Sequence, residues 1–329
     1  MSPTSLPPII GGSSAMQRAV ALLERFAPTS LPILLVGATG TGKELFARHI
    51  HYRSARRGEF VDVNCGAIPH EMAESLLFGH RKGAFTGAVE SVTGQLELAD
   101  RGTLFLDEVL HLAPATQVKL LRAIETGEVL PLGERRKRQV DFRILAAAQD
   151  DALQRVESGG FRRDLYQRLA GIVITLPPLA ERPEDIVPLA RFFAGMRHQL
   201  LGEGAEQLLR EHAWPGNVRE LRLAIERAGC LVEDGMLPAR AIQDAIALGV
   251  LRSLRSERRL ADRRRPAAER RQESRCSADA REVLTLCDAH GWDTDRVATI
   301  LGIARSTVYS RLRRAGVSLR ALRLSGLPS

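Results

Sequence analysis

Long apolar runs are missing from this chain. A stretch such as Leu31 to Val36 is short and is interrupted by Pro32, far below the roughly twenty residues that a membrane-spanning helix needs, so no membrane segment is expected. The N-terminus lacks the basic-then-apolar pattern of a secretion signal. Cysteine is scarce: Cys65, Cys230, Cys276 and Cys287 include no C-x-x-C pair and share no metal-ligand spacing with the eight histidines. That argues against a disulfide framework or zinc module and for a reduced, cytoplasmic protein. An internal repeat of fixed period is also absent.

Hydrophobic residues make up 44% and charged residues 26% of the 329 positions, an ordinary balance for globular domains. The length predicts two or three compact units, the first large enough to bury a substantial core. Charge is unevenly placed. Residues 251–329 hold 18 arginines against 9 acids, whereas residues 1–250 hold 29 basic and 30 acidic groups, so the tail accounts for the net +8. Such a tail predicts a nucleic-acid partner.

Short apolar segments at 33–36, 60–63, 103–106, 142–147 and 171–176 read as buried strands alternating with helix-forming stretches. This predicts an α/β domain with a largely parallel sheet over residues 9–176. After Pro177-Pro178 the apolar residues take helical spacing, as in Ile186, Leu189, Ala190 and Phe193, which predicts a small helical subdomain over 177–250. Residues 251–275 contain ten arginines and four acids with little apolar content, so 251–277 reads as a linker without a core. Val283, Leu284, Cys287, Val297, Ala298, Leu301, Val308 and Leu312 then mark three short amphipathic helices with Gly302 at a turn. They predict an all-α helix-turn-helix over 278–320.

Gly37-Ala38-Thr39-Gly40-Thr41-Gly42-Lys43 follows the first strand and opens a helix, the setting of a phosphate loop. Its glycines let backbone N–H groups curl round phosphates while Lys43 supplies a point charge. Glu44 stands where Ser or Thr is usual. Leu104-Phe105-Leu106-Asp107-Glu108 is an apolar strand ending in two acids, with Asp107 the candidate Mg²⁺ residue and Glu108 the candidate base that activates water. ATP and Mg²⁺ are the expected ligands. By themselves, Phe85 and Thr86, set among small residues, fit either an exposed contact loop or a helix interruption with Phe85 in the core, and composition favours the second.

These residues together resemble the AAA+ bacterial enhancer-binding proteins, ring ATPases that activate sigma-54 promoters. The resemblance covers about 9–250 with the ATPase and about 278–320 with a Fis-like helix-turn-helix. Its discriminating string is Gly83-Ala84-Phe85-Thr86-Gly87-Ala88 after Phe78-Gly79-His80. The resemblance makes this string the loop that grips sigma-54, reversing the reading from composition. It also implies that Asn64 is a switch residue pairing with Glu108, that Arg162 and Arg168 are arginine fingers reaching a neighbouring subunit's γ-phosphate, and that Arg227 is the lid's nucleotide-sensing arginine. A hexamer or a mixed ring with a paralogue is implied. About eight residues precede the ATPase, leaving no room for a receiver, as in phage-shock and Hrp-type activators; control by a protein acting in trans is therefore expected.

Departures from the family's pattern are Ala147-Ala148-Gln149 where Thr-Asn is usual, Val129-Leu130-Pro131-Leu132-Gly133 in the second loop, Arg81-Lys82 before the hexapeptide, a shorter lid around 199–204, and Ala304 where a capping Ser or Asn is usual. In the helix-turn-helix, Arg305, Ser306 and Thr307 are the base-reading candidates, with Tyr309 on the same helix; Arg311, Arg313 and Arg314 are assigned to phosphates. The leading reading is therefore a DNA-bound ATPase that remodels the sigma-54 polymerase. The alternatives are a regulator that binds nucleotide without hydrolysing it and acts by occupying DNA, and an AAA+ DNA remodeller.

Overall fold

A computed structural model describes residues 6–232, 235–249, 294–301, 303–304 and 306–308. The chain divides into two compact units, 1–247 and 248–329. The first is built on five parallel strands: β1 (Ile33–Val36), β2 (Phe60–Asn64), β3 (Thr103–Asp107), β4 (Arg143–Ala148) and β5 (Ile172–Thr175). Their spatial order is β2-β3-β4-β1-β5. All five lie within two residues of the segments read from the sequence, because strands covered on both faces are continuously apolar.

Alternation along each strand sends side chains to two cores. Leu104, Leu106, Ile144, Ala146 and Ala148 join one; Phe105, Leu145, Ala147, Ile33, Leu35 and Ile174 join the other. Register places Asn64 opposite Asp107 and Val36 opposite both Ala148 and Thr175. The carboxyl ends of the strands thus converge on one edge, where ligands bind in open parallel sheets.

Helices α1 (Ser14–Phe26), α2 (Lys43–Tyr52), α3 (His70–Phe78), α4 (Pro114–Thr126) and α5 (Arg163–Leu169) flank the sheet. Ser13 caps α1 by accepting from Met16 N–H, and α1 buries Met16, Ala19 and Leu23 at helical spacing. Pro114 opens α4 and Gly127, left-handed, closes it. The lid comprises α6 (Pro183–Gly195), α7 (Ala205–Glu211), α8 (Asn217–Cys230) and α9 over 239–249. Leu179, Ile186, Leu209, Trp214, Leu221 and Ile225 form its core.

One charged residue is built into the sheet. Arg143, only 1% exposed, donates to the carbonyls of Ala27 (2.5 Å), Phe26 (2.9 Å) and Leu31 (3.3 Å). Two of these lie at the C-terminal end of α1, the negative pole of its dipole. Burial, and then Arg56, push its pKa down to about 10.

In the second unit, α10 (Thr294–Leu301) buries Val297 and Ala298. After a turn in which Ile303 N–H donates to Ala298 O, helical bonding resumes from Ala304 O to Thr307 and Val308 N–H. Val308 is buried, Thr307 half-buried and Ser306 exposed. Arg305, Tyr309, Arg311, Arg313 and Arg314, and the linker 251–277, lie outside the described residues. Among the described residues, no helix is long and apolar enough to cross a membrane.

Arg143→Met, which keeps much of the volume but removes every donor, is expected to lower the unfolding free energy by about 2–4 kcal/mol, read as a lower urea midpoint.

Candidate functional site

The phosphate loop leaves β1 and turns into α2 at Gly42, whose φ of +108° is left-handed. Gly37 N–H donates to Ala148 O and Thr41 N–H to Ala38 O, and the carbonyls of Thr39, Gly40 and Thr41 are held from the other side of the cleft. Thr39 O accepts from Asn217 Nδ2 (3.0 Å), Gly40 O from Arg219 N (3.3 Å) and Thr41 O from Arg182 Nη2 (3.1 Å). All three donors belong to the lid. A Cβ on Gly40 would lie 2.4 Å from Gly216 O, with φ at +82°, so only glycine allows this approach. Asn217 is buried, holds φ +53°, and accepts from Leu179 N–H through Oδ1 at 2.7 Å.

Lys43 Nζ donates to Gly37 O (2.6 Å) and Ala38 O (3.1 Å). Burial lowers its pKa, against the opposing pull of Asp107, Asp150 and Glu108. Glu44 is engaged by Arg48 at 2.8 Å, which also holds Asp62 at 2.5 Å; the Glu44 carboxylate is thus committed to an ion pair.

Burial raises the Asp107 pKa, with Lys43 opposing. Its Oδ1 accepts from Glu108 N–H at 2.9 Å. Glu108 adopts φ +53°, ψ +41°, a left-handed conformation that costs a non-glycine residue about 1–3 kcal/mol and clusters at functional sites. A Cβ on Gly66 would meet Glu108 Oε2 at 2.0 Å and Asn64 Oδ1 at 3.4 Å, so the glutamate carboxylate occupies the space over Gly66. Asn64 Oδ1 accepts from Gly66 N–H (2.9 Å) and Ala67 N–H (3.1 Å). Asn64 and Glu108 are therefore brought together across Gly66 and are not hydrogen-bonded to each other. Among the described residues, no group of three or more His, Cys, Asp or Glu side chains is set to hold a metal. Mg²⁺ carried by a polyphosphate needs only one or two carboxylates, and Asp107 beside Lys43 fits that need.

A cleft of about 520 Å³ runs from these groups to an apolar end. Gly40 to Glu44, Asn64, Asp107, Glu108 and Gln149 line it, as do Ile9, Ile10, Leu189 and Phe193 and the lid's Arg219 and Arg222. Arg227 does not line it. It lies eight residues beyond Arg219 on α8, about 12 Å along the axis, and its Nη1 points to Ala245 O at 3.4 Å. On α8 the cleft is lined instead by Arg219 and Arg222, and the Arg219 charge adds to burial in lowering the Lys43 pKa. Arg162 and Arg168 are exposed and also outside the cleft. Arg162 forks onto Asp164 at 3.0 and 2.6 Å.

The hexapeptide is a surface turn. Gly83 N–H donates to Ala88 O and Ala88 N–H to Phe85 O. Phe85 is 47% exposed, resting against the His80 ring at a centroid distance of 5.0 Å, while Ala88 is buried. Its base is zipped to the second loop: Arg81 N–H donates to Leu132 O, and Leu132 N–H to Gly79 O. The charge departure at Arg81 has a partner there. Arg81 pairs with Glu134 (2.9 Å), which also holds Arg138 (3.0 Å), and Arg138 pairs with Glu97 (2.6 Å).

A phosphate loop after one strand of a five-stranded parallel sheet, an acidic pair ending a second strand and a helical lid gripping the loop define an AAA+ P-loop fold. Residues 9–175 match the Sigma-54 interaction domain, residues 180–256 the AAA+ ATPase lid domain and residues 277–316 Sigma-70, region 4; the chain belongs to the family of sigma-54-dependent transcriptional regulators. It is 40% identical over 320 residues to the C4-dicarboxylate transport transcriptional regulatory protein DctD of Rhizobium meliloti, covering 94% of this chain and 65% of that protein. It is 46% identical over 229 residues to the sigma54-dependent transcriptional regulator SfnR of Pseudomonas fluorescens, covering 67% and 62%. The chain thus spans less than two thirds of these relatives. Among solved structures, NtrX from Brucella abortus in complex with ATP superposes with a TM-score of 0.67 at 31% identity, covering 94% of this chain and 70% of that one. Thermotoga maritima RuvB, at 14% identity and 0.51, shares the fold alone.

Arg219→Ala is expected to weaken nucleotide binding about tenfold, and Arg227→Ala by less than about twofold, in a fluorescent-nucleotide titration. The reverse order would remove Arg219 from the site.

Proposed function

We propose that this chain hydrolyses ATP within a ring of copies and uses the resulting movement to remodel RNA polymerase carrying sigma-54, while its C-terminal unit holds DNA. The observation that carries this reading is a short route through one unit. Glu108 lies over Gly66; Asn64 caps Gly66 and Ala67; and that turn leads through α3 to the exposed Phe85 and Thr86. A change at the terminal phosphate is felt at Glu108, displaces the Gly66 turn, and moves α3 and the loop with it.

Within the cleft, Lys43 and the loop N–H groups hold the phosphates and Arg219 closes the lid over them. Glu108 takes the proton of the attacking water. Mg²⁺, held through Asp107, would neutralise charge on the phosphate oxygens. Arg162 and Arg168, exposed and outside the cleft of their own subunit, serve a neighbour's γ-phosphate, which requires a homo-oligomer, a hexamer or a mixed ring with a paralogue. Ser306 and Thr307 enter the major groove with Arg305. A cytoplasmic setting and a regulator acting in trans complete this reading. The occupancy-only alternative is disfavoured, because a strained glutamate beside a half-buried aspartate and lysine has no use in a passive nucleotide site.

Mixing the protein with sigma-54 and ADP plus aluminium fluoride should yield a complex on a native gel that Thr86→Ala abolishes. Glu108→Gln should cut hydrolysis by about a hundredfold or more while leaving nucleotide affinity within about twofold. No complex from a protein that still binds nucleotide would reject the sigma-54 role.

A further inference from the structure

Two charged side chains at the start of α6 are sealed from solvent, Arg182 at 1% and Asp185 at 0% exposure. Buried charge is costly unless hydrogen bonds satisfy it. Asp185 accepts three, from Gly12 N–H (2.6 Å), Ser13 N–H (2.9 Å) and Ser13 Oγ (2.8 Å). The stretch it holds runs back to Pro7, Pro8, Ile9 and Ile10, which wall the apolar end of the cleft. The far end of that wall is pinned by α2: His49 Nε2 lies 2.8 Å from Pro7 O. Since Arg53 donates to His49 Nδ1 at 2.5 Å, Nε2 carries the proton and donates. Arg182 lines the same cleft. It donates to Thr41 O of the phosphate loop, lies 3.9 Å from Asp185 Oδ2, and keeps one buried donor, Nε, without an acceptor.

We infer that Arg182 and Asp185 are positioning residues that tie the apolar, base-side wall of the cleft to its phosphate loop, so that seating the base and seating the phosphates are coupled through one buried pair on the lid. This rests on the nucleotide reading of the cleft. Asp185 sets the wall, while Arg182 senses the loop. Neither touches the reacting atoms.

The test uses the full chain, with ATP and inorganic tripolyphosphate, which has no base, each competing against a fluorescent nucleotide. Asp185→Ala is expected to weaken ATP about tenfold and raise the KM of hydrolysis correspondingly, with tripolyphosphate affinity and kcat within about twofold. Asp185→Asn, which still accepts from Gly12 and Ser13, should recover most of the ATP affinity. Ser13→Ala removes one of the three hydrogen bonds to Asp185 together with the cap on α1; it still folds, and should show a smaller loss of about threefold in the same direction. Equal loss of ATP and tripolyphosphate in Ser13→Ala and Asp185→Asn, or no loss in any variant, overturns the inference while the nucleotide reading stands. A wild-type chain that binds neither ligand overturns both.

Discussion

A backbone that turns its N–H groups toward phosphate must turn its carbonyls away, and buried carbonyls need donors. In this chain the requirement falls on Thr39, Gly40 and Thr41, and the lid meets it with Asn217 Nδ2, Arg219 N and Arg182 Nη2. The rest of the site follows from this arrangement. The lid cannot be a passive cover, because it supplies the donors for three successive carbonyls of the loop. Trp214 and Asn217 hold left-handed backbone on either side of Pro215-Gly216 so that the amide of Asn217 and the N–H of Arg219 reach the loop from one turn. Even Gly40 is required less for phosphate than for the lid carbonyl pressed against it.

The sheet supplies the complementary constraint. Register puts Asn64 level with Asp107, and Cys65 N–H donates to Asp107 O at 2.9 Å, so β2 and β3 leave the sheet as a pair. One ends in the acids, the other in the turn that leads to α3. Burial, and after it the two acids, push the Cys65 thiol up to about 12. This cysteine is accordingly an inert apolar filler between them rather than a reactive group.

What could be read from the sequence and what could not divide along a physical line. The five strands were legible because burial on both faces leaves uninterrupted apolar runs, and the phosphate loop because its curvature demands glycine at set intervals. The acids ending β3 were legible as a pair, but not the strained conformation that aims Glu108. The contacts of Arg182, Asp185 and Asn217 gave no signal, since their partners lie 141, 173 and 178 residues away and no local spacing encodes such contacts. Arg143 lies inside the apolar segment 142–147 and gave no sign of its burial, which only the carbonyls at the end of α1 explain. The resemblance pointed to Arg227 on α8, but the α8 arginines that line the cleft are Arg219 and Arg222, a placement that only the folded lid reveals. The departure at Arg81-Lys82 was visible, whereas the partner of Arg81, Glu134, required the two loops to be folded against each other.

The backbone at Glu108 carries a further implication. A left-handed residue with a side chain carries a conformational cost that glycine would remove, so the backbone alone would favour glycine at 108. A glutamate there, its carboxylate held over Gly66, sets the placement of a side chain against the preference of the backbone that carries it.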